Sequence, residues 1–311
     1  MVSVCMACYN AERYVGEAVE SVLNQTYQNI ELIVVNDGST DRSGAVVEKY
    51  KGRGVKLITQ GNRGQCAAAN RALAEARGEY VKFFDADDIL SPRFIEAQIG
   101  RLAGRKDAVA SARWGRFYND DLKTFRLNPE KVWRDMESTD WLVEATISAH
   151  PMQQCGLWLI PKDVLDKTGG WLVGLSLTND FEFFCRILCE VKQVLFCEEG
   201  TLYYRSGIWG SLSARKSRAA RESECRSILL GTAHLLKKRQ DARAKLACAN
   251  TCQHLLYDLY PKHPDLRKEL AQRVAECGGA KVEPSGGRYF HWWRPWIGWK
   301  LARRLQRAVG K

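Results

Sequence analysis

Four short polar clusters, each at the end of an apolar run, hold most of the residues in this sequence that could do chemistry. Ala7-Cys8-Tyr9-Asn10 follows the first run, and Asp37, Gly38, Ser39 and Asp41 lie in VVNDGSTD after the second. Gly61-Asn62-Arg63-Gly64 follows the third, and Asp85, Asp87 and Asp88 lie in FFDADD after the fourth. Asp85-Ala86-Asp87 puts two carboxylates near one point if the run is a strand, because alternate residues share a face. Such a pair repels itself in isolation and becomes favourable around a hard divalent cation that also holds a diphosphate. Plainer readings exist for each cluster: Asp87 and Asp88 as caps of the helix before which Pro92 lies, and Asp37-Gly38-Ser39 as a turn.

These clusters meet only if the runs before them are neighbouring parallel strands. The spacing predicts strands over Ser3 to Ala7, Ile30 to Val35, Val55 to Ile58 and Tyr80 to Phe84, alternating with helices. The helices are expected from about Ala11 to Asn24, capped by Asn10, near Arg42 to Tyr50, over Gln65 to Ala76, and after Pro92. IELIVV is apolar and β-branched almost throughout, as a strand buried on both faces must be. The series implies an α/β fold with a mostly parallel central sheet flanked by helices, and ligands in such sheets bind beyond the carboxyl ends of the strands.

The middle, about 105 to 212, is less periodic, with helix candidates at Asp163 to Thr168 and Phe181 to Val191 and strand candidates at Val194 to Cys197 and Leu202 to Arg205. From about Ala214 the chain reads as successive Arg-, Lys- and Ala-rich helices, and Gly278 to Gly287 sets off a last segment. The expected organisation is a domain over 1–213 in two halves, 1–104 and 105–213. A helical extension (214–277) and a basic aromatic tail (278–311) follow.

Of the 311 residues 45% are hydrophobic and 27% charged, enough apolar surface for a sizeable core and too much for wholesale disorder. The formal charge of +11 points to an acidic partner without choosing among phosphorylated ligands, nucleic acid and anionic membrane. Eleven cysteines are too few for a disulfide scaffold. Cys5 and Cys8 form C-x-x-C at a strand end rather than a helix start, and Cys185/Cys189 and Cys248/Cys252 read as core filler rather than zinc ligands. With no leader-like stretch before the first strand and no apolar run of about 18 residues, the expectation is a cytoplasmic protein.

Taken in order, MACYNAERYVGEAVESVLNQTY, IELIVVNDGSTD, GNRGQCAAANRAL, GEYVKFFDADD and TNDFEFFCRI resemble the family 2 glycosyltransferases of the GT-A fold. The resemblance runs over about residues 1–215 and is most specific over 1–90. It implies that Ala7, Tyr9 and Asp37 hold the base and ribose of a nucleotide-sugar donor, with Tyr9 stacking on the base and Glu12 at a nearby acidic position. Asn62, Gly64, Asn70, Asp85 and Ala86 complete that implied donor site. Asp85 and Asp87 match the metal-and-diphosphate motif, implying Mn²⁺ or Mg²⁺, and Asp180 matches the proposed catalytic base. The residue types suit the chemistry. A nucleoside diphosphate leaves with charge that a divalent ion absorbs, while a carboxylate on the opposite side takes the acceptor's proton, so one direct attack inverts the anomeric carbon. Asp180 also reads as the N-cap of the helix from Phe181, a role compatible with catalysis.

Three positions depart from the family's pattern. Asn179 stands where an acid commonly precedes the base. Ala69 stands where an arginine is usual, so a phosphate contact is either missing or supplied by Arg63 or Arg71. Tyr204-Arg205-Ser206-Gly207-Ile208-Trp209-Gly210-Ser211 lacks the usual histidine. The Q-x-x-R-W signature of processive synthases is absent, which favours transfer of a single sugar, from a UDP-linked donor to a glycan or lipid-linked acceptor. A catalytically idle relative that binds glycan or membrane is the alternative, and the intact Asp37, Asp85, Asp87 and Asp180 argue against it.

Between Arg288 and Lys311 lie seven Lys/Arg, six aromatics and no acid. Pro295 is expected to start a helix with Ile297, Leu301, Leu305 and Ala308 in one stripe and Lys300, Arg304, Arg307 and Lys311 beside it. That pattern suits the headgroup layer of an anionic membrane at its cytosolic face. The competing expectation is that the tryptophans pack back on the protein. No nucleic-acid motif accompanies the charge, so nucleic acid is not an expected partner.

Overall fold

The computed structural model describes residues 1–149, 153–208 and 216–308. Four parallel strands, β1 (Val2–Cys8), β2 (Ile30–Asp37), β3 (Val55–Gln60) and β4 (Tyr80–Asp85), form a sheet in the order β3-β2-β1-β4. The short β9 (Ile160–Pro161) closes its β4 edge in antiparallel sense. The helices between these strands are α1 (Val15–Leu23), α2 (Ser43–Glu48), α3 (Gln65–Ala74) and α4 (Phe94–Leu102). The apolar run of β2 is buried from Leu32 to Val35, as a central parallel strand requires.

A second sheet holds β5 (Ile89–Leu90), β6 (Ala108–Tyr118), β7 (Asp121–Leu127), β8 (Met136–Glu137) and β10 (Gln193–Ser206). The two strands expected at 194–197 and 202–205 are one, with a register shift between Cys197 and Thr201. Polar Glu198-Glu199 breaks the apolar pattern there, and Gly200 lets the strand pass close to Phe94. The rest of the middle region supplies α5 (Ser138–Thr146), α6 (Lys162–Thr168) and α7 (Asn179–Glu190).

Three expected helix starts move. Asn10 does not cap α1: it adopts φ 49°, and its Oδ1 accepts from Thr40 N (2.8 Å), so regular helix begins only at Val15. Asp87 and Asp88 do not cap α4, whose N-cap is Arg93. Thr178, in left-handed conformation, is the N-cap of α7, and Asp180 lies inside the first turn.

The C-terminal part is α8 (Arg218–Lys238), α9 (Ala242–Leu259), α10 (Pro264–Glu276) and α11 (Arg288–Ala308). Ser217 and Asp241 cap α8 and α9 through their side chains. Apolar residues of α8, α9 and α10 belong to the same continuous core as the first sheet. The join to α7 is polar and tight. Ser223 Oγ accepts from Ser176 N and Leu177 N, Ser227 Oγ accepts from Glu182 N and donates to Thr178 O (2.6 Å). Pro295 does not start a helix in the tail; α11 begins at Arg288 and breaks at Gly298, whose φ of 72° and ψ of 158° are non-helical. Lys311, the boundary at 213/214, and Trp209, Gly210 and Ser211 of the histidine-lacking loop lie outside the described residues.

Candidate active site

Parallel register brings the strand ends to one edge. Ala7 pairs with Val35 on one side and Asp85 on the other, and Asp37 pairs with Gln60. The loops after β1 and β2 are lashed together: Asn10 N donates to Ser39 Oγ (3.0 Å), Ala11 N to Ser43 Oγ (2.8 Å) and Glu12 N to Asp41 Oδ2 (3.0 Å). In return Glu12 Oε2 accepts from Arg42 N at 2.9 Å. The lashing leaves Tyr9 at the rim, 45% exposed.

Asp37 is buried and fully engaged. Its carboxylate accepts from Gln60 Nε2 (2.8 Å), Arg63 N (2.9 Å) and Gly64 N (2.8 Å), so it fixes the loop that opens α3. Gly38 makes this approach feasible: at φ 71°, a Cβ there would lie 2.6 Å from Asn62 N. Asn62 and Arg63 are exposed on that loop. Asn70 is not brought to the edge. It sits in the second turn of α3, where Nδ2 donates to Trp171 O and Oδ1 accepts from Trp171 N, both at 2.8 Å. Arg71, beside the buried Ala69, pairs with Glu75 (3.0 Å).

The acidic end is different. Asp85, Asp87 and Asp180 each keep some contact with solvent, while Asp88 is buried. Burial raises the pKa of Asp85. Burial, and then the Asp85 charge, push Asp87 up to about 7 and hold Asp180 well above the usual carboxylate range. Asp88 is raised in the same way and serves the scaffold: its Oδ1 accepts from Arg205 N (2.9 Å).

Several contributors had no assigned role in the sequence. Gln65 Nε2 donates to Asp85 Oδ1 (3.0 Å), and Asn179 Nδ2 donates to Gln65 Oε1 (3.2 Å), which links the start of α7 to β4 through two amides. Asn179 Oδ1 also accepts from Asp180 N (3.1 Å). An acid at 179 would place a further negative charge here and lose the donor to Gln65. Arg205, 4% exposed, donates to Asp87 O and Glu17 Oε2, pairs with Asp120, and lies over the rings of Tyr14 and Phe117. An arginine directly after Leu202, Tyr203 and Tyr204 in a strand was the available signal. Glu182, a second acid on α7, is held by Arg186 and His234, and those bonds leave its pKa low despite burial, so it is not poised as a base.

The donor set around Asp85 and Asp87 is hard carboxylate oxygen, with no cationic side chain bonded to either carboxylate among the described residues. Among the same residues no three His, Cys, Asp or Glu side chains gather closely enough to hold a metal ion alone. Mg²⁺-type ions commonly take one or two carboxylates and complete their shell with waters and substrate phosphates, so the pair fits such an ion. The Cys5 and Cys8 thiols are buried, and burial pushes Cys8 up to about 12, the reverse of a reactive redox pair.

The sequence pattern described as Glycosyl transferase family 2 matches residues 3–169, more than half of the chain. The chain belongs to glycosyltransferase family 2. An uncharacterized glycosyltransferase of Haemophilus influenzae is 43% identical over 226 residues, covering 71% of this chain and 84% of that one. EpsH of Bacillus subtilis is 35% identical over 143 residues; the chain spans 41% of that relative's length. In three dimensions the chain is similar to Staphylococcus aureus TarS 1-349 in complex with UDP-GlcNAc, with a TM-score of 0.71, 18% identity, and coverage of 89% of this chain and 80% of that one. This similarity shows the GT-A fold.

Proposed function

We propose that this family 2 protein transfers one sugar, with inversion, from a UDP-linked donor to a glycan or lipid-linked acceptor. The observation that carries the reading is the carboxylate group Asp85, Asp87 and Asp180 at the carboxyl edge of the parallel sheet, whose raised pKa values persist although Arg205 lies close to Asp87. The UDP assignment is supported by the TarS fold being known with UDP-GlcNAc bound. In this reading Tyr9 stacks on the base, Asp37 with the loop it fixes bounds the nucleotide, and Ala7 and Ala86 leave room for the donor between them. Asp85 and Asp87 hold Mn²⁺ or Mg²⁺, which supplies charge neutralisation for the departing diphosphate. Asp180 takes the acceptor hydroxyl's proton; neutralising the Asp85 charge removes one cause of its raised pKa and favours the ionised form that a base needs.

A panel of sugar nucleotides scored by thermal shift and by nucleotide release tests the donor. Asp180→Asn should keep donor affinity and lose transfer by roughly a hundredfold or more. Normal turnover in that variant would move the base elsewhere.

The acceptor side draws on α11. Phe290 is buried and Trp299 packs edge-on against Tyr257 and Tyr260 (4.8 and 5.0 Å). Trp292 and Trp296 remain 68% and 86% exposed, and Leu301 and Leu305 are exposed in the second half. Trp299 therefore packs back on the protein, while Trp292 and Trp296 are left for the membrane reading proposed here. The exposed set beside Arg288, Lys300 and Arg304 suits an anionic lipid surface. Among the described residues no helix is long and apolar enough to cross a membrane. Trp292→Ser/Trp296→Ser should fold normally and lose sedimentation with anionic vesicles; unchanged sedimentation would place the contact elsewhere.

A further inference from the structure

Away from the sheet edge, α8, the turn between α9 and α10, and the second half of α11 enclose a cleft of about 470 Å³. Its charged lining is Lys216, Arg221, Lys262, Arg303 and Arg307 against one carboxylate, Asp258. Arg221 is paired outside the cleft with Glu224 (2.6 Å), and Arg307 donates to the main-chain oxygen of Asp258.

Arg303 is the anomaly. It is 8% exposed and has no ion pair among the described residues. One terminal nitrogen donates to Gln306 Oε1 (2.9 Å), the other to Ser285 O, and the guanidinium lies 4.7 Å from the Phe290 ring centre. Its Nε has no hydrogen-bond partner among the described residues. Burial lowers its pKa, offset in part by Asp258. A buried guanidinium surrounded by neutral acceptors is costly unless an anion completes the set. A carboxylate would neutralise one of the four excess charges, whereas a phosphate group brings up to two charges and several acceptor oxygens that match the arginine fork.

We propose that this cleft binds a phosphate-ester or diphosphate group, seated against Arg303 and Arg307 and enclosed by Arg221, Lys216 and Lys262. No residue of the carboxylate edge lines it, so it is a second anion site, independent of the donor reading.

The full-length protein is titrated with inorganic phosphate and with pyrophosphate, in chelator and at ionic strength matched with chloride, reading ³¹P line broadening and thermal shift. Saturable binding is expected, weakened at least tenfold in Lys262→Gln/Arg307→Gln and in Arg303→Gln, and unchanged in Asp87→Asn. If Arg303→Gln fails to fold, the exposed double variant still decides. Vesicles carrying phosphatidic acid, compared with phosphatidylglycerol at equal charge, separate the sources. Cleft-dependent preference for the phosphomonoester, competed by phosphate, assigns a lipid headgroup, while cleft-dependent binding of the soluble anions alone assigns a soluble phosphate. Wild-type protein that binds neither anion better than chloride, or variants that bind as wild type, would overturn the proposal.

Discussion

Asp37 and the Asp85–Asp87 pair stand at the ends of strands in one sheet, yet their surroundings are opposite. Asp37 accepts three hydrogen bonds from its own chain and fixes a loop. Asp85 accepts one amide bond, and its charge lifts the pKa of Asp87 and Asp180. The first carboxylate is complete as the chain folds; the second group, on the proposed reading, is completed by an added cation. Pre-built loops bound a ligand of fixed shape, whereas an unbalanced charge is kept where charge changes during a reaction.

The largest effect should come from the unbalanced end. Asp87→Asn removes half of the hard-oxygen pair, so transfer should fall by roughly a hundredfold or more, comparable to losing one preorganised charge contact. UDP affinity should fall only when Mn²⁺ or Mg²⁺ is present. The variant should also fold at least as well as wild type, because a mutual repulsion is removed. Turnover unchanged by chelator would break the contrast, since the acids would then need no added cation.

At the completed end the ranking reverses. Asp37→Asn puts an amide donor where the carboxylate met backbone N–H groups, and orphaning a buried group costs about 1–3 kcal/mol. Urea unfolding should show that loss, together with weaker donor binding whether or not metal is present. A variant as stable as wild type would mean that the three hydrogen bonds do not hold the loop.

The alternation of apolar runs and polar clusters made the first sheet readable, because parallel strands buried on both faces have little freedom of composition. The same reasoning placed Ala7, Tyr9, Asp37, Asp85 and Asp87 at one edge. It did not separate what Asp37 does from what Asp85 does, since both are acids at strand ends and the difference lies in partners far along the chain. Gln65 and Asn179 are 114 positions apart, and no local pattern reports their bond. The resemblance implies Asn70 in the donor site, and its amide is bonded to Trp171, 101 positions on, a partner that no local pattern reports. The second sheet was hard to read because β6 carries Ser111, Arg113 and Arg116 in a strand that is buried almost throughout, while β10 mixes buried and exposed residues without a steady period.

Lys82 supplies the smallest and most discriminating test. It lies on β4 three residues before Asp85, so strand alternation points it to the other face, away from the acids. Its Nζ instead donates to Gln98 Oε1 (3.1 Å), Gly156 O (2.7 Å) and Trp158 O (3.2 Å), and the side chain is wholly buried. Burial lowers its pKa to about 7. In the unfolded chain a lysine titrates near ~10.4. Between those values the unfolded state binds more protons than the native state, so wild-type stability should rise with pH from about 7 to about 10 through this residue and be insensitive to it below. Lys82→Met removes the buried charge but orphans three acceptors, opposing effects of about 1–3 kcal/mol each that leave a small net change at neutral pH. The gap between wild type and variant should then widen steadily in favour of wild type as pH rises. A gap that stays flat from pH 7 to 10 would show that the three acceptors hold the ammonium charged. The chain would then keep a charged lysine buried on the far face of the strand that carries Asp85.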